Sequence, residues 1–398
     1  IRFNNSEYGT YDSVRYAALI LKKNSRYPEL VLTDKVSSDE KELLQQYRNV
    51  VNEQITGVYD SKEINDVLKK MYAAFWSGIQ RQLEGTDVVY LSKDGVFHQI
   101  NINTLIDPGS GKYVIDIADI RPLSDTKDLL KQFYGKDKKK SAVLAGAPDF
   151  YEEYAAHSDA AGDRKSILKS EKTLLSRDLN SEMRLGIDPL PASKLEVEEI
   201  SAKMKEKGWD IELFTGPRAC EENLKSVNNP TVLHIATHGV FLEDMENTPF
   251  SGSVQKEYFE NPLLRSMLYL SGAAKTINQQ RNNSDAEDGI LSAYEAQSLD
   301  LAETELVVLS GCSTASGEIM CGEGVFGLQR AFRVAGAESI IMSLWPVNDK
   351  ITKELMINFY DKWLSGASKR TAFRQAQLAI KEKYPEICHW GGFIMSGK

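Results

Sequence analysis

Thr231-Val232-Leu233-His234-Ile235-Ala236-Thr237-His238-Gly239 is an apolar run that closes in a histidine and a glycine, and Leu306-Val307-Val308-Leu309-Ser310-Gly311-Cys312 is a second that closes in a glycine and a cysteine. Each has the length and apolar continuity of a buried strand. In an open α/β sheet the carboxyl ends of parallel strands face one crevice, so side chains far apart in sequence converge there. A histidine beside a cysteine at such a crevice points to nucleophilic catalysis.

Working outward, four more apolar segments of strand length lie at residues 141–147, 209–214, 339–344 and 393–395. Helical patterns at 195–207, 324–335, 352–363 and 370–383 separate them. Strands alternating with helices predict an α/β fold: a mostly parallel six-stranded sheet flanked by helices. Upstream, the first 85 residues read as mostly helical. Ser37-Ser38-Asp39-Glu40 offers a capping box ahead of Leu43, Leu44, Tyr47 and Val51, and Ile64, Leu68, Met71, Phe75, Ile79 and Leu83 repeat at helical spacing. From Asp87 the period changes. Val88 to Leu91, a turn through Asp94-Gly95, and alternating Val96, His98, Ile100 and Ile102 predict a β-hairpin, followed by a strand over 113–120.

The run Lys136-Asp137-Lys138-Lys139-Lys140 reads as a solvated connector. It divides the chain into a smaller supporting region, residues 1–138, and the sheet-bearing domain, residues 139–398. Two polar stretches, 151–191 and 242–288, exceed ordinary connector lengths. The second leaves directly after His238-Gly239 and returns before the strand that delivers Cys312, where a mobile lid would border the crevice.

The 398 residues are 42% hydrophobic and 26% charged, the balance of an ordinary globular protein. Forty-eight basic against 57 acidic side chains give a net charge of -9, which argues against direct nucleic-acid contact and favours basic partners or substrates. Cys220, Cys312, Cys321 and Cys388 form no C-x-x-C pair and follow no signal peptide, so the expected setting is a reducing, cytoplasmic one without a disulfide framework or zinc ribbon. No apolar stretch approaches the roughly 20 residues that cross a bilayer. The chain opens at Ile1 in mid-pattern, so a further amino-terminal part is expected upstream.

A thiol attacks as thiolate, and a neighbouring imidazole lowers its pKa and later returns a proton to the leaving amine. Cys312 is therefore the candidate nucleophile and His238 the candidate general base and acid. Backbone N–H groups of Gly239 and Cys312 would serve the oxyanion. Gly239 and Gly311, lacking side chains, let a substrate backbone approach. His234, four residues earlier in the same strand, reads as buried structure, and His98 and His157 have no comparable setting. This mechanism needs no metal or organic cofactor.

These blocks together resemble the CHAT family of caspase-like cysteine peptidases, relatives of caspases and separases. The resemblance rests on His234 to Gly239, on Asp288-Gly289-Ile290-Leu291-Ser292-Ala293-Tyr294-Glu295, and on Ser310-Gly311-Cys312-Ser313-Thr314. It continues through Gly322-Glu323-Gly324-Val325-Phe326-Gly327-Leu328-Gln329-Arg330-Ala331-Phe332 and Ser343-Leu344-Trp345-Pro346-Val347-Asn348-Asp349. It implies a caspase-type sheet with the base carried onto His238 and the nucleophile onto Cys312, and an N-terminal half that is a degenerate, pseudo-protease-like support. It further implies a protein or peptide substrate, and control by a partner or by tetratricopeptide repeats upstream. Asp349 follows the strand after the nucleophile, about where separase-like enzymes carry an acid that receives arginine. A carboxylate there would select a basic side chain, with Trp345 as an apolar wall; alternatively Asp349 caps the next helix.

Three other readings compete. Gly322, Gly324 and Gly327 satisfy G-x-G-x-x-G, but a dinucleotide fingerprint needs its first glycine straight after a strand, and a long polar stretch intervenes. Cys312, Cys321, Cys388 and His389 lack paired metal-ligand spacing. A catalytically silent scaffold that binds protein partners through the cleft is set against the retention of both His238 and Cys312.

Overall fold

The computed structural model describes residues 2–5, 13–32, 40–124, 126–130, 140–151, 187–241, 262–278, 287–311 and 323–397. The chain forms two compact units, residues 1–133 with 373–398, and residues 134–372. The capping box at Ser37-Ser38-Asp39, the run Lys136 to Lys139, and His157 lie outside the described residues.

The first unit opens with strands rather than helices. β1 (Arg2–Asn5), β2 (Ser13–Ile20) and β3 (Glu29–Leu32) form an antiparallel three-stranded sheet. The sequence concealed it because apolar residues occupy both faces: Leu30 and Leu32 are 61% and 49% exposed while Tyr16 is buried, so no clean alternation is left to read. Helices Glu40–Thr56 and Ser61–Phe75 follow as expected. The second buries Ile64, Leu68, Met71 and Phe75, and Asp60 caps it by accepting the Lys62 N–H.

The predicted hairpin is absent. β4 (Val88–Ser92) pairs in parallel with β5 (Asp119–Leu123). Residues Gly95–His98 form a 3-10 turn and Val114–Ile117 a single helical turn where a strand was expected. Consecutive Val96 and Phe97 are both buried, which departs from the one-face alternation that a hairpin strand would show.

Downstream strands are β6 (Ser141–Pro148), β7 (Asp210–Gly216), β8 (Val232–Ala236), β9 (Gly239–Phe241), β10 (Ser266–Tyr269), β11 (Ile290–Ser292), β12 (Leu306–Ser310), β13 (Ser339–Ser343) and β14 (Phe393–Gly397). The six-stranded sheet has the order β14-β13-β12-β8-β6-β7, and the four pairings from β13 to β7 are all parallel. Every residue of β8, β12 and β13 is buried. Each large aliphatic side chain sequestered this way contributes roughly 1.5–3 kcal/mol, so the central strands hold their register firmly.

A smaller antiparallel sheet, β11-β10-β9, brackets residues 242–288, the stretch expected to be a mobile lid, and draws its central strand from it. Within that span, helix Pro262–Arg265, β10 and helix Ala273–Ile277 are ordered, and all four residues of β10 are buried. A four-residue strand is too short to announce itself, and both its partners lie far from it in sequence. The rest of the span, residues 242–261 and 279–286, lies outside the described residues, as do residues 152–186.

Gly289 closes this small sheet. Its φ is +77°, and a Cβ there would sit 2.5 Å from the Ser271 carbonyl oxygen and 2.6 Å from the Ala273 nitrogen. Gly289→Ala is therefore expected to destabilise the protein by more than the roughly 1–3 kcal/mol of a left-handed non-glycine residue alone. Chemical denaturation of both forms measures the difference, and an unchanged midpoint would contradict the packing described.

Candidate active site at the carboxyl end of the sheet

The main sheet delivers the chain to His238 and the small sheet receives it. Beyond β8, the Thr237 N–H donates to the Ser310 carbonyl at 3.1 Å, extending the β8–β12 ladder by one rung. The Thr237 hydroxyl donates to the Tyr269 carbonyl, and the Tyr269 N–H donates to the His238 carbonyl at 3.0 Å. The backbone around the histidine is thus held from both sides.

His238 is 5% exposed, with its ring 5.3 Å from that of Phe150. Phe150 belongs to an apolar cluster with Met267, Tyr269 and Ile290, against which Ile187 and Val240 pack. His238 Nε2 lies 2.7 Å from the Asp188 carbonyl oxygen. A carbonyl only accepts, so Nε2 carries the hydrogen, and in the neutral ring Nδ1 carries the lone pair. Burial pushes the His238 pKa below its usual value, opposed by the Asp188 hydrogen bond and by the charges of Asp188 and Asp349.

Gly239 pairs with Leu268. In an antiparallel ladder, opposed residues alternate between exchanging hydrogen bonds and exchanging none. The Tyr269-to-His238 bond marks residues 238 and 269 as a bonded pair, so the Gly239 N–H turns away from β10. β9 is an edge strand, and that N–H faces outward from the small sheet.

Gly311 follows β12 with φ +101°, and a Cβ there would stand 3.0 Å from the Thr237 carbonyl oxygen. Only glycine meets both the left-handed backbone and the close approach. The chain immediately before Cys312 is therefore held against the residue preceding His238. Cys312 itself, with Cys321 and Gly322, lies outside the described residues. Gly324 and Gly327 fall inside helix Glu323–Ala335.

Asn348, rather than Asp349, caps helix Asp349–Leu364, accepting the Lys350 and Ile351 N–H groups. Asp349 turns instead to helix Pro191–Glu206, its Oδ2 accepting the Ala192 N–H at 2.8 Å. Burial pushes the Asp349 carboxyl above the usual range, with Ala192 opposing and the Glu196 charge adding to the rise. Trp345 is 2% exposed.

His234 is the buried structural residue expected. Its Nε2 lies 2.8 Å from Glu196 Oε1 and its Nδ1 3.1 Å from the Tyr360 hydroxyl, all three residues being almost fully buried. Burial keeps the Tyr360 hydroxyl protonated, so it can donate to Nδ1 while Nε2–H donates to Glu196. Elsewhere, Glu221, Glu287 and Glu295 are close enough together to hold a cation, but Lys225 Nζ stands among them at 2.6, 3.0 and 3.0 Å and supplies the positive charge.

Sequence reasoning did not find Asp188, Phe150 or Glu196. Asp188 acts through its carbonyl, which every residue type offers, and its neighbours in sequence form no regular element. The lowered pKa of His238 carries a test. Its ring should remain neutral to a pH below the ordinary histidine value of about 6.5, and NMR titration of the ring protons would show half-protonation there. A midpoint at or above 6.5 would contradict a buried, carbonyl-anchored ring.

The model of the CHAT domain matches residues 65–398. The human and mouse proteins named tetratricopeptide repeat protein 28 are 26% and 24% identical to this chain over 220 and 217 residues. Each alignment covers 52% of the chain, and 8% and 9% of the respective relatives, so the chain spans a small part of their length. Among solved structures, the Arg-specific cysteine proteinase gingipain R aligns with a TM-score of 0.43 and 10% identity, covering 90% of this chain and 74% of that one. The complex of pro- and mature domains of the Porphyromonas gingivalis enzyme aligns with a TM-score of 0.41 and 12% identity, covering 90% and 75%. With most of its length matched by that one model, this chain belongs to the CHAT domain family.

Proposed function

We propose that the protein is a cysteine endopeptidase of the CHAT type, in which Cys312 attacks the scissile carbonyl and His238 serves as general base and then acid. The observation that carries this reading is the fixed tautomer of His238. The Asp188 carbonyl takes the Nε2 hydrogen, leaving Nδ1 to remove a proton from a thiol and return it to the leaving amine. The outward N–H of Gly239 supports a role as one oxyanion donor, with the Cys312 N–H as the second. A peptide lying along the edge of β9 would add a strand to the small sheet. No step requires a metal or organic cofactor.

Asp349 and Trp345 are the proposed determinants of the residue before the cut, Asp349 drawing a basic side chain and Trp345 walling the pocket. In this reading residues 1–138 support residues 139–398, and a regulatory partner or upstream repeat region controls cleavage. The names of the related proteins favour repeats of the tetratricopeptide kind. Among the described residues no helix is long and apolar enough to cross a membrane, and a reducing cytoplasmic setting would keep the nucleophile reduced.

One observation favours the alternative, a catalytically silent scaffold that binds partners through the cleft: His238 is only 5% exposed. A thiol-reactive peptide warhead decides between them. Burial pushes the Cys220 and Cys388 thiols up to about 11 and about 12, so neither offers appreciable thiolate at neutral pH. Mass spectrometry should find the label on Cys312, and His238→Ala should slow labelling by roughly 100-fold or more. Label distributed evenly among the cysteines, or indifferent to His238, would favour the scaffold. Asp349→Asn preserves an acceptor for Ala192. It should lower kcat/KM on substrates with arginine or lysine before the cut by about 10- to 100-fold while sparing apolar ones, and equal losses on both would remove Asp349 from the pocket.

A further inference from the structure

Two hydroxyls at the carboxyl end of the main sheet are buried without a hydrogen-bond partner among the described residues: Ser310 Oγ and Ser343 Oγ. Ser310 is 2% exposed and Ser343 fully buried. Each is the last residue of its strand. The β12–β13 register pairs Val308 with Ile341, and continued by two residues it sets Ser310 opposite Ser343. The neighbouring pairings add Ala236 and Gly146 to the same row. The last row of the sheet on this face is thus glycine, alanine, serine and serine, whereas the row two residues earlier is Leu144, His234, Val308 and Ile341.

The direction these side chains take follows from His234, which shares their face two residues below. His234 meets Glu196 and Tyr360, so the face is the one covered by helices Pro191–Glu206 and Asp349–Leu364. The amino ends of both helices come to the carboxyl end of the sheet. A Cβ on Gly146 would touch the Ser193 carbonyl at 2.9 Å, and Asp349 bonds Ala192. The hydroxyls therefore point into the layer that holds Asp349 and Glu196, two carboxylates near enough for the charge of one to act on the other. Both carboxylates bring acceptors to this layer, where the Lys350 charge also reaches Asp349.

A buried hydroxyl without a partner costs about 1–3 kcal/mol, and two in one row are a standing penalty that alanine would relieve. We propose that Ser310 and Ser343 are specificity-determining residues that form the hydrogen-bonding floor of the pocket for the side chain preceding the scissile bond, accepting from the cationic end of an arginine. The assignment rests on the peptidase reading and extends it. Ser310 lies two residues before the proposed nucleophile in sequence. Ser343 lies two before Trp345, the proposed wall.

Two fluorogenic peptides test this, identical except for arginine or norleucine before the cleaved bond, used with the full chain and with its Ser310→Ala and Ser343→Ala forms. Each substitution should lower kcat/KM for the arginine peptide by about 10- to 100-fold and leave that for norleucine within about twofold. The thermal midpoint should hold or rise, because an unsatisfied buried group has been removed. A structural role predicts the reverse: a lower midpoint with both peptides losing equally. The arginine-to-norleucine ratio is read within one preparation, so partial unfolding cannot mimic the effect, and Ser→Cys variants serve if alanine prevents folding. An unmoved ratio, or a wild-type preference for norleucine, overturns the pocket while leaving Cys312 labelling and cleavage intact. Absence of both labelling and cleavage overturns the peptidase reading, and the pocket with it.

Discussion

The structure turns on how the backbone at Thr237-His238-Gly239 is gripped. Residues just beyond a strand end ordinarily belong to mobile connecting loops. Here the last rung of the parallel sheet, Thr237 to Ser310, and the first rung of the small antiparallel sheet, Tyr269 to His238, fall on adjacent residues. The histidine has no slack on either side. Its ring is then fixed by Phe150 beside it and the Asp188 carbonyl at Nε2. The small sheet matters chiefly for this reason, since without β10 the chain beyond β8 would leave the main sheet unsupported.

The central strands of the main sheet were legible in the sequence because both faces are covered, and strongly apolar runs such as Leu306 to Leu309 cannot be reconciled with exposure. The long helices were legible for the complementary reason, one apolar stripe each. What escaped were elements whose reason for existing lies elsewhere in the chain. β10 is four residues long and is a strand only because β9 and β11 flank it. The pairing of β4 with β5 is parallel and so needs a crossover, while local signals such as Asp94-Gly95 speak only for hairpins. At the strand ends, His238 stood out as a candidate because histidine is chemically distinctive. Asp188 did not, because its contribution is a carbonyl.

Beneath the crevice the protein keeps more buried polarity than stability alone would favour. Glu196, His234 and Tyr360 form a chain of hydrogen bonds inside the helix layer, and Asp349 ties the first turn of helix Pro191–Glu206 to the start of helix Asp349–Leu364. Replacing such a network with well-packed apolar residues is often neutral or stabilising, whereas removing one member strands its partner. The network is consequently all or nothing, and it fixes the spacing of two helix starts that both abut the end of the sheet.

That arrangement also explains why the carboxylates sit on this face. Helix amino ends carry partial positive charge and attract anions, so a crevice lined by two of them would ordinarily prefer an acidic ligand. Asp349, accepting from Ala192 N–H, answers one helix end with a fixed carboxylate, and Asn348 satisfies the first free N–H groups of the other. With both ends answered from within the protein, the first free N–H groups of each helix already have acceptors, and the Glu196 and Lys350 charges both reach Asp349 there. The side chains that the sequence spends at its two helix starts thus offset the pull toward anions that the helix dipoles alone would exert.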